Sequence, residues 1–131
     1  MRAPSKVLAL FEPRSSGELV LGAVAEFIGA GAEVTLVHVA PQDTNPPNCT
    51  VYAAPLNDAL RERASEELDE AARRAGVPES GTRLLVEGRD PSVEQLARDG
   101  FDLILLPARR RGRHPWTSGL AREGVEVRVL G

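Results

Sequence analysis

Short apolar runs alternate along this chain with segments whose apolar residues recur at helical spacing, the pattern of βαβ units around a parallel sheet. The first run, residues 6–11 (KVLALF), is apolar on both faces, as a strand covered by helices on each side must be. Glu12-Pro13-Arg14 breaks it. Ser15 with Glu18 three residues later has the form of a capping box. Leu19, Val20, Ala23, Val24, Phe27 and Ile28 then repeat at helical period until Gly29-Ala30-Gly31 closes the helix.

A second strand is predicted over 33–40 (EVTLVHVA). It empties into residues 41–55, a stretch holding four prolines, two asparagines and Cys49. Fifteen residues without periodicity is long for a connection in a compact domain and marks a functional or mobile loop. The helix after it carries Leu56, Leu60, Ala64, Leu68, Ala71 and Ala75 on one face. Arg61, Glu62, Glu66, Glu67, Glu70, Arg73 and Arg74 form a solvated face opposite, and Gly76-Val77-Pro78 ends the element.

The third strand is residues 82–87 (TRLLVE). In the turn Gly88-Arg89-Asp90-Pro91, Asp90 suits a helix N-cap and Pro91 the first helical position. Val93, Leu96 and Ala97 face inward, and Gly100 stops that helix. Residues 102–106 (DLILL) are the most apolar run and are expected to be central. A polar segment at 107–118, a short stretch at 119–123 and a terminal strand at 125–130 (VEVRVL) complete the chain.

These elements predict a doubly wound, Rossmann-like α/β fold, a five-stranded parallel sheet with helices on both faces and right-handed crossovers. Ligands of such sheets bind beyond the carboxyl ends of the strands. Here those ends are Glu12, His38 to Ala40, Glu87-Gly88 and residues 107–112.

Length and charge narrow the picture. A chain of 131 residues is read as one domain, 1–131, and 42% apolar with 27% charged residues suits a folded one. A net charge of −3 gives no reason to expect nucleic acid or an anionic membrane as partner. The lone Cys49 excludes an intrachain disulfide and suits a reducing compartment. The N-terminal apolar run is too short for a signal sequence or a membrane span, so a cytoplasmic location is expected.

Three local signatures, in this order and spacing, resemble the universal stress protein family. They are EVTLVHV running into a proline-bearing loop, the turn Gly88-Arg89-Asp90-Pro91 after the third strand, and Phe101-Asp102-Leu103-Ile104-Leu105-Leu106 before the last loop. The resemblance spans residues 6–130 and weakens after Pro107. It implies strand order 3-2-1-4-5 and a binding or regulatory role in the stress response.

In the nucleotide-binding branch of that family, an aspartate ends the first strand near the adenosine. A loop after the fourth strand has two glycines three positions apart, then nine residues, then Gly-Ser or Gly-Thr. Backbone N–H groups must approach the phosphates closely there. In this chain the strand-one position is Glu12, and the loop glycines fall at Pro107 and Arg110. Proline has no N–H to give, and the arginine Cβ disfavours positive φ. The tail after Ser118 is also short. ATP binding in the family's manner is therefore not expected, and no cofactor is assigned.

Arg109, Arg110, Arg111, Arg113 and His114 form the densest positive patch in the chain. It could be a solvated loop or an anion site, since guanidinium groups grip phosphate bidentately. Should a nucleotide bind, Glu12 would lie near the ribose, the backbone at Val39 near the base, and Arg109, Arg110 and Arg113 at the phosphates. Trp116 would cover the ligand end of the sheet or a partner surface, or lie buried over the core edge, the plainer of the three readings. His38 is read as structural, no residue spacing fits a metal site, and nothing demands catalysis.

In the terminal strand Val125, Val127 and Val129 share one face, with Glu126 and Arg128 on the other. The resemblance implies dimerisation through this strand. Antiparallel pairing about a two-fold axis at Val127 would set Glu126 of each copy opposite Arg128 of the other. Three readings stand: a regulatory module without the ATP loop, a degenerate nucleotide binder using arginines, and a non-catalytic interaction domain.

Overall fold

The computed structural model describes residues 6–13, 17–41, 50–87, 90, 92–108 and 117–130. The described elements are β1 (Lys6–Leu10), α1 (Gly17–Gly29), β2 (Glu33–Ala40), α2 (Thr50–Ala75), β3 (Thr82–Val86), α3 (Val93–Ala97), β4 (Leu103–Pro107), α4 (Thr117–Arg122) and β5 (Glu126–Leu130). A short 3₁₀ turn, Glu79–Gly81, leads into β3. The five strands form one parallel sheet in the order β3-β2-β1-β4-β5, the doubly wound α/β arrangement expected.

Strand alternation divides the core in two. Val7, Ala9, Phe11, Val34 and Leu36 point to the face covered by α1 and α2, through Val20, Leu21, Val24, Leu68, Ala71, Ala72 and Ala75. Leu8, Leu10, Val37, Ile104 and Leu106 point to the other, against Leu96 and Ala97 of α3 and Leu120 of α4. Most of these are fully buried, and each buried Val or Leu contributes about 1.5–3 kcal/mol relative to exposure. The run LILLP of β4 is buried at every position: Leu103 and Leu105 lie in the cluster with α1 and α2, Ile104 and Leu106 in that with α3 and α4. The middle place, however, belongs to β1.

α1 ends as its glycines predict. Gly31 takes φ 90°. Ala32 N–H donates to Phe27 O at 3.0 Å and Gly31 N–H to Ile28 O at 3.0 Å, the paired bonds of a Schellman close. Leu19 departs from expectation: it is 55% exposed, and Leu21 is buried in its place. The buried stripe of α1 is Gly17, Val20, Leu21 and Val24, which leaves Leu19 on the flank.

Two boundaries also differ. α2 begins at Thr50 rather than after Pro55, so the connection after β2 is shorter than fifteen residues. Pro55 is the sixth residue of α2, just past the four N–H groups that lack an intrahelical partner, so its missing N–H forfeits one bond near the helix start. The N-cap of α3 is Ser92, not Asp90. Ser92 Oγ accepts from Gln95 N–H at 3.2 Å, and Ser92 N–H donates to Gln95 Oε1 at 2.9 Å, a complete capping box. Asp90 instead closes the turn after β3, its carboxylate accepting from Val86 N–H at 2.7 Å. The Ser15 cap, the turn residues Gly88, Arg89 and Pro91, and Cys49 lie outside the described residues. Among the described residues no helix is long and apolar enough to cross a membrane.

Candidate functional site

The site is assembled at the carboxyl edge of β1 and β2. Past the last residue of β1 the pairing continues, since Phe11 N–H donates to Val37 O at 2.8 Å. The chain then turns out of the sheet at Glu12 and Pro13. Gly17 brings the start of α1 hard against this turn: a Cβ there would stand 2.7 Å from Glu12 O and 3.0 Å from the Phe11 ring. Only glycine permits that approach without displacement.

His38 lies on the same sheet face as Phe11 and is 7% exposed. Its ring packs edge-on to Phe11, with centroids 5.6 Å apart, and its Nδ1 lies 3.0 Å from Phe11 O. A carbonyl oxygen only accepts, so Nδ1 carries the hydrogen. No buried side-chain nitrogen or oxygen among the described residues lacks a partner. Nε2, which has no partner among them, must therefore reach open space.

That space is a cleft of ≈ 370 Å³ lined by Glu12, Pro13, His38 and Pro41 from the sheet edge and by Leu60, Arg63, Ala64 and Glu67 from α2. The volume falls within the range of small-molecule sites, about 300–1,000 Å³. Pro13, Pro41, Leu60 and Ala64 supply apolar walls. Arg63 Nε and Glu67 Oε1 pair at 3.6 Å across one helical turn. Glu12 is partly buried, and no hydrogen bond or ion pair holds its carboxylate among the described residues.

The predicted site residues separate. Glu12 lines the cleft. Val39 shares the edge through its backbone, but its side chain turns to the opposite face and packs beside Leu8, Leu10 and Leu85. That is the consequence of strand alternation after His38. Arg109, Arg110 and Arg113 lie outside the described residues, with Arg111, His114 and Trp116. The sequence places Leu60 on the apolar face of this helix and Glu67 on its solvated face, with no role in a site for either, and does not single out Arg63. Their only signal there is an i, i+4 charge pair flanking Ala64 on the helix's apolar face. No group of three metal-ligating side chains occurs among the described residues.

At the end of β4, Pro107 is buried inside the strand and stands in register with Leu130. Ala108 N–H continues the ladder, donating to Leu130 O at 3.0 Å. Strand pairing thus extends through the first position where a phosphate loop would need a glycine.

Among the described strands β5 lies at the edge of the sheet, with β4 as its neighbour. Arg128 Nε bonds Glu126 Oε1 at 3.0 Å within the chain, and the guanidinium lies 5.9 Å from the Phe27 ring. Val125 and Val127 pack on the core, while Val129 is half exposed.

Comparison with known proteins places this geometry. The model of the universal stress protein family matches residues 5–120. A universal stress protein family structure from Burkholderia pseudomallei is 25% identical, covers 96% of this chain and 95% of its own, and superposes with a TM-score of 0.65. The universal stress protein UspA from Lactobacillus plantarum shares 14% identity, with coverage of 99% and 100% and a TM-score of 0.69. A universal stress protein in complex with cAMP shares 17% identity, with coverage of 99% of each chain and a TM-score of 0.57. No curated protein matches the chain in sequence.

Proposed function

This chain belongs to the universal stress protein family, and from that premise we propose that it is a non-catalytic, cytoplasmic binding and regulatory module of the stress response. In this proposal it does not take ATP in the family's phosphate-loop manner. One observation carries it: β4 remains paired to β5 through a buried Pro107, where the loop would need a glycine and a free N–H. Arg110 at the second glycine position compounds the loss. Nucleotide content of the freshly purified protein tests this. Heat-released material should show no stoichiometric 260 nm absorbance, and one equivalent of ATP would overturn the proposal.

A second reading has its own support, the cleft that gathers Glu12, His38 and Pro41 beside the apolar side chains of α2. In it the cleft takes the uncharged part of a nucleotide or a similar small molecule, with Glu12 toward hydroxyl groups. Arg109, Arg110 and Arg113 would serve any phosphate. One solved relative is described as a cAMP complex, though at 17% identity that likeness bears on the fold alone.

The same module is proposed to pair with its own copy through β5. β5 is an edge strand of the sheet, and its register about Val127 is self-complementary in charge. Pairing would re-partner Glu126 and Arg128 between chains, in place of the bond they make within one. Light scattering at micromolar concentration should give the mass of a dimer.

A further inference from the structure

Among the described residues His38 is the one buried polar side chain, and its two ring nitrogens have different fates. Nδ1 is committed to Phe11 O. Nε2 has no partner among the described residues and belongs to a side chain that is more than nine-tenths buried and lines the cleft. A buried side chain normally satisfies its polar atoms within the protein, so this nitrogen is placed for something that enters. Because Nδ1 holds the hydrogen, Nε2 of the neutral ring is an acceptor.

The other polar groups of the cleft have the same sense. Among the described lining residues the Glu12 and Glu67 carboxylates accept, and Arg63, the cation among them, faces Glu67. We infer that His38 Nε2 determines the specificity of the Glu12 cleft, which takes a small ligand whose uncharged part presents an O–H or N–H donor to that nitrogen. His38 is then a positioning residue as well. Its bond to Phe11 O fixes the peptide that precedes Glu12, so one ring both offers an acceptor and aims the neighbouring carboxylate. The ligand class rests on the cleft being the binding site in the second reading above; the tautomer and the accessibility of Nε2 do not.

The test uses the full chain in two arms. In the free protein, nitrogen-15 spectra of the imidazoles should show His38 with Nδ1 protonated and Nε2 bare. Diethylpyrocarbonate should modify His38 at Nε2, a product located by peptide mass spectrometry. An Nε2–H tautomer, or an unreactive His38, overturns the inference whatever the ligand proves to be. In the second arm adenosine is the uncharged probe and inorganic phosphate the anionic control. Adenosine should shift the Nε2 resonance and protect it from modification, and phosphate should do neither.

His38→Asn keeps an amide N–H near the Nδ1 position but has no acceptor where Nε2 was. It should fold and weaken adenosine about five- to tenfold, the cost of one hydrogen bond. Adenosine binding that leaves Nε2 and the H38N affinity unchanged overturns the inference and spares the nucleotide reading. No adenosine binding with a bare, reactive Nε2 removes the nucleoside and leaves the acceptor role intact.

Discussion

Two glycines of α1 should respond to the same substitution with opposite signs. A Cβ on Gly17 would fall 2.7 Å from Glu12 O and 3.0 Å from the Phe11 ring, whereas a Cβ on Gly22 meets nothing within 4 Å. Neither has a positive φ, so backbone strain does not enter. In each, alanine recovers about 0.5–1 kcal/mol of helix-forming entropy. At Gly22 that is the whole effect, and Gly22→Ala should stabilise by about that amount.

At Gly17 the methyl must push helix and turn apart, an overpacking cost of about 1–3 kcal/mol. The net is a loss of about 1 kcal/mol, or about 4 °C in Tm for a domain of this size. Urea unfolding of both variants should show midpoints on either side of the parent with unchanged m-values. A Gly17→Ala protein as stable as Gly22→Ala would refute the close packing of α1 on the β1 turn. The placement of Glu12 beside His38 would then lose its structural basis.

Other substitutions test separate joints. Leu105→Ala, at a fully buried position in β4, should cost about 2–5 kcal/mol by calorimetric melting. Ser92→Ala removes the cap that Gln95 N–H uses and should cost about 1 kcal/mol in urea. Asp90→Ala strips Val86 N–H of a charged acceptor and should cost about 1.5–3 kcal/mol; a smaller loss than Ser92→Ala would return Asp90 to the role of a mere turn residue. His38→Leu leaves Phe11 O without its donor and should destabilise by about 1–3 kcal/mol, more than His38→Asn does.

The fold was legible because burial on both faces writes itself into strand composition. KVLALF and DLILL carry no polar alternation, and such strands exist only where helices cover each side. Helix faces read less cleanly. Leu19 sits near the edge of the apolar stripe of α1, and spacing alone could not separate it from Leu21, which faces the sheet. Cap chemistry misled at Asp90, since an aspartate before a proline suits an N-cap and a turn-closing acceptor equally. Ser92 and Gln95 decided the matter by capping each other.

The site was half legible. Glu12 follows from its place at a strand end and from the family resemblance. The sequence reading makes His38 structural; in the structure its Nδ1 holds Phe11 O. Its second nitrogen was beyond the sequence, because the cleft exists only where α2 crosses the ends of β1 and β2.

The central claim is that a universal stress protein fold here lacks the family's phosphate loop. Calorimetric titration of the purified chain with ATP and magnesium tests it most directly. No saturable heat in the micromolar range is the expected result. A dissociation constant of a few micromolar, about −7 to −8 kcal/mol of binding free energy, would contradict it and show that backbone other than positions 107 and 110 holds the phosphates.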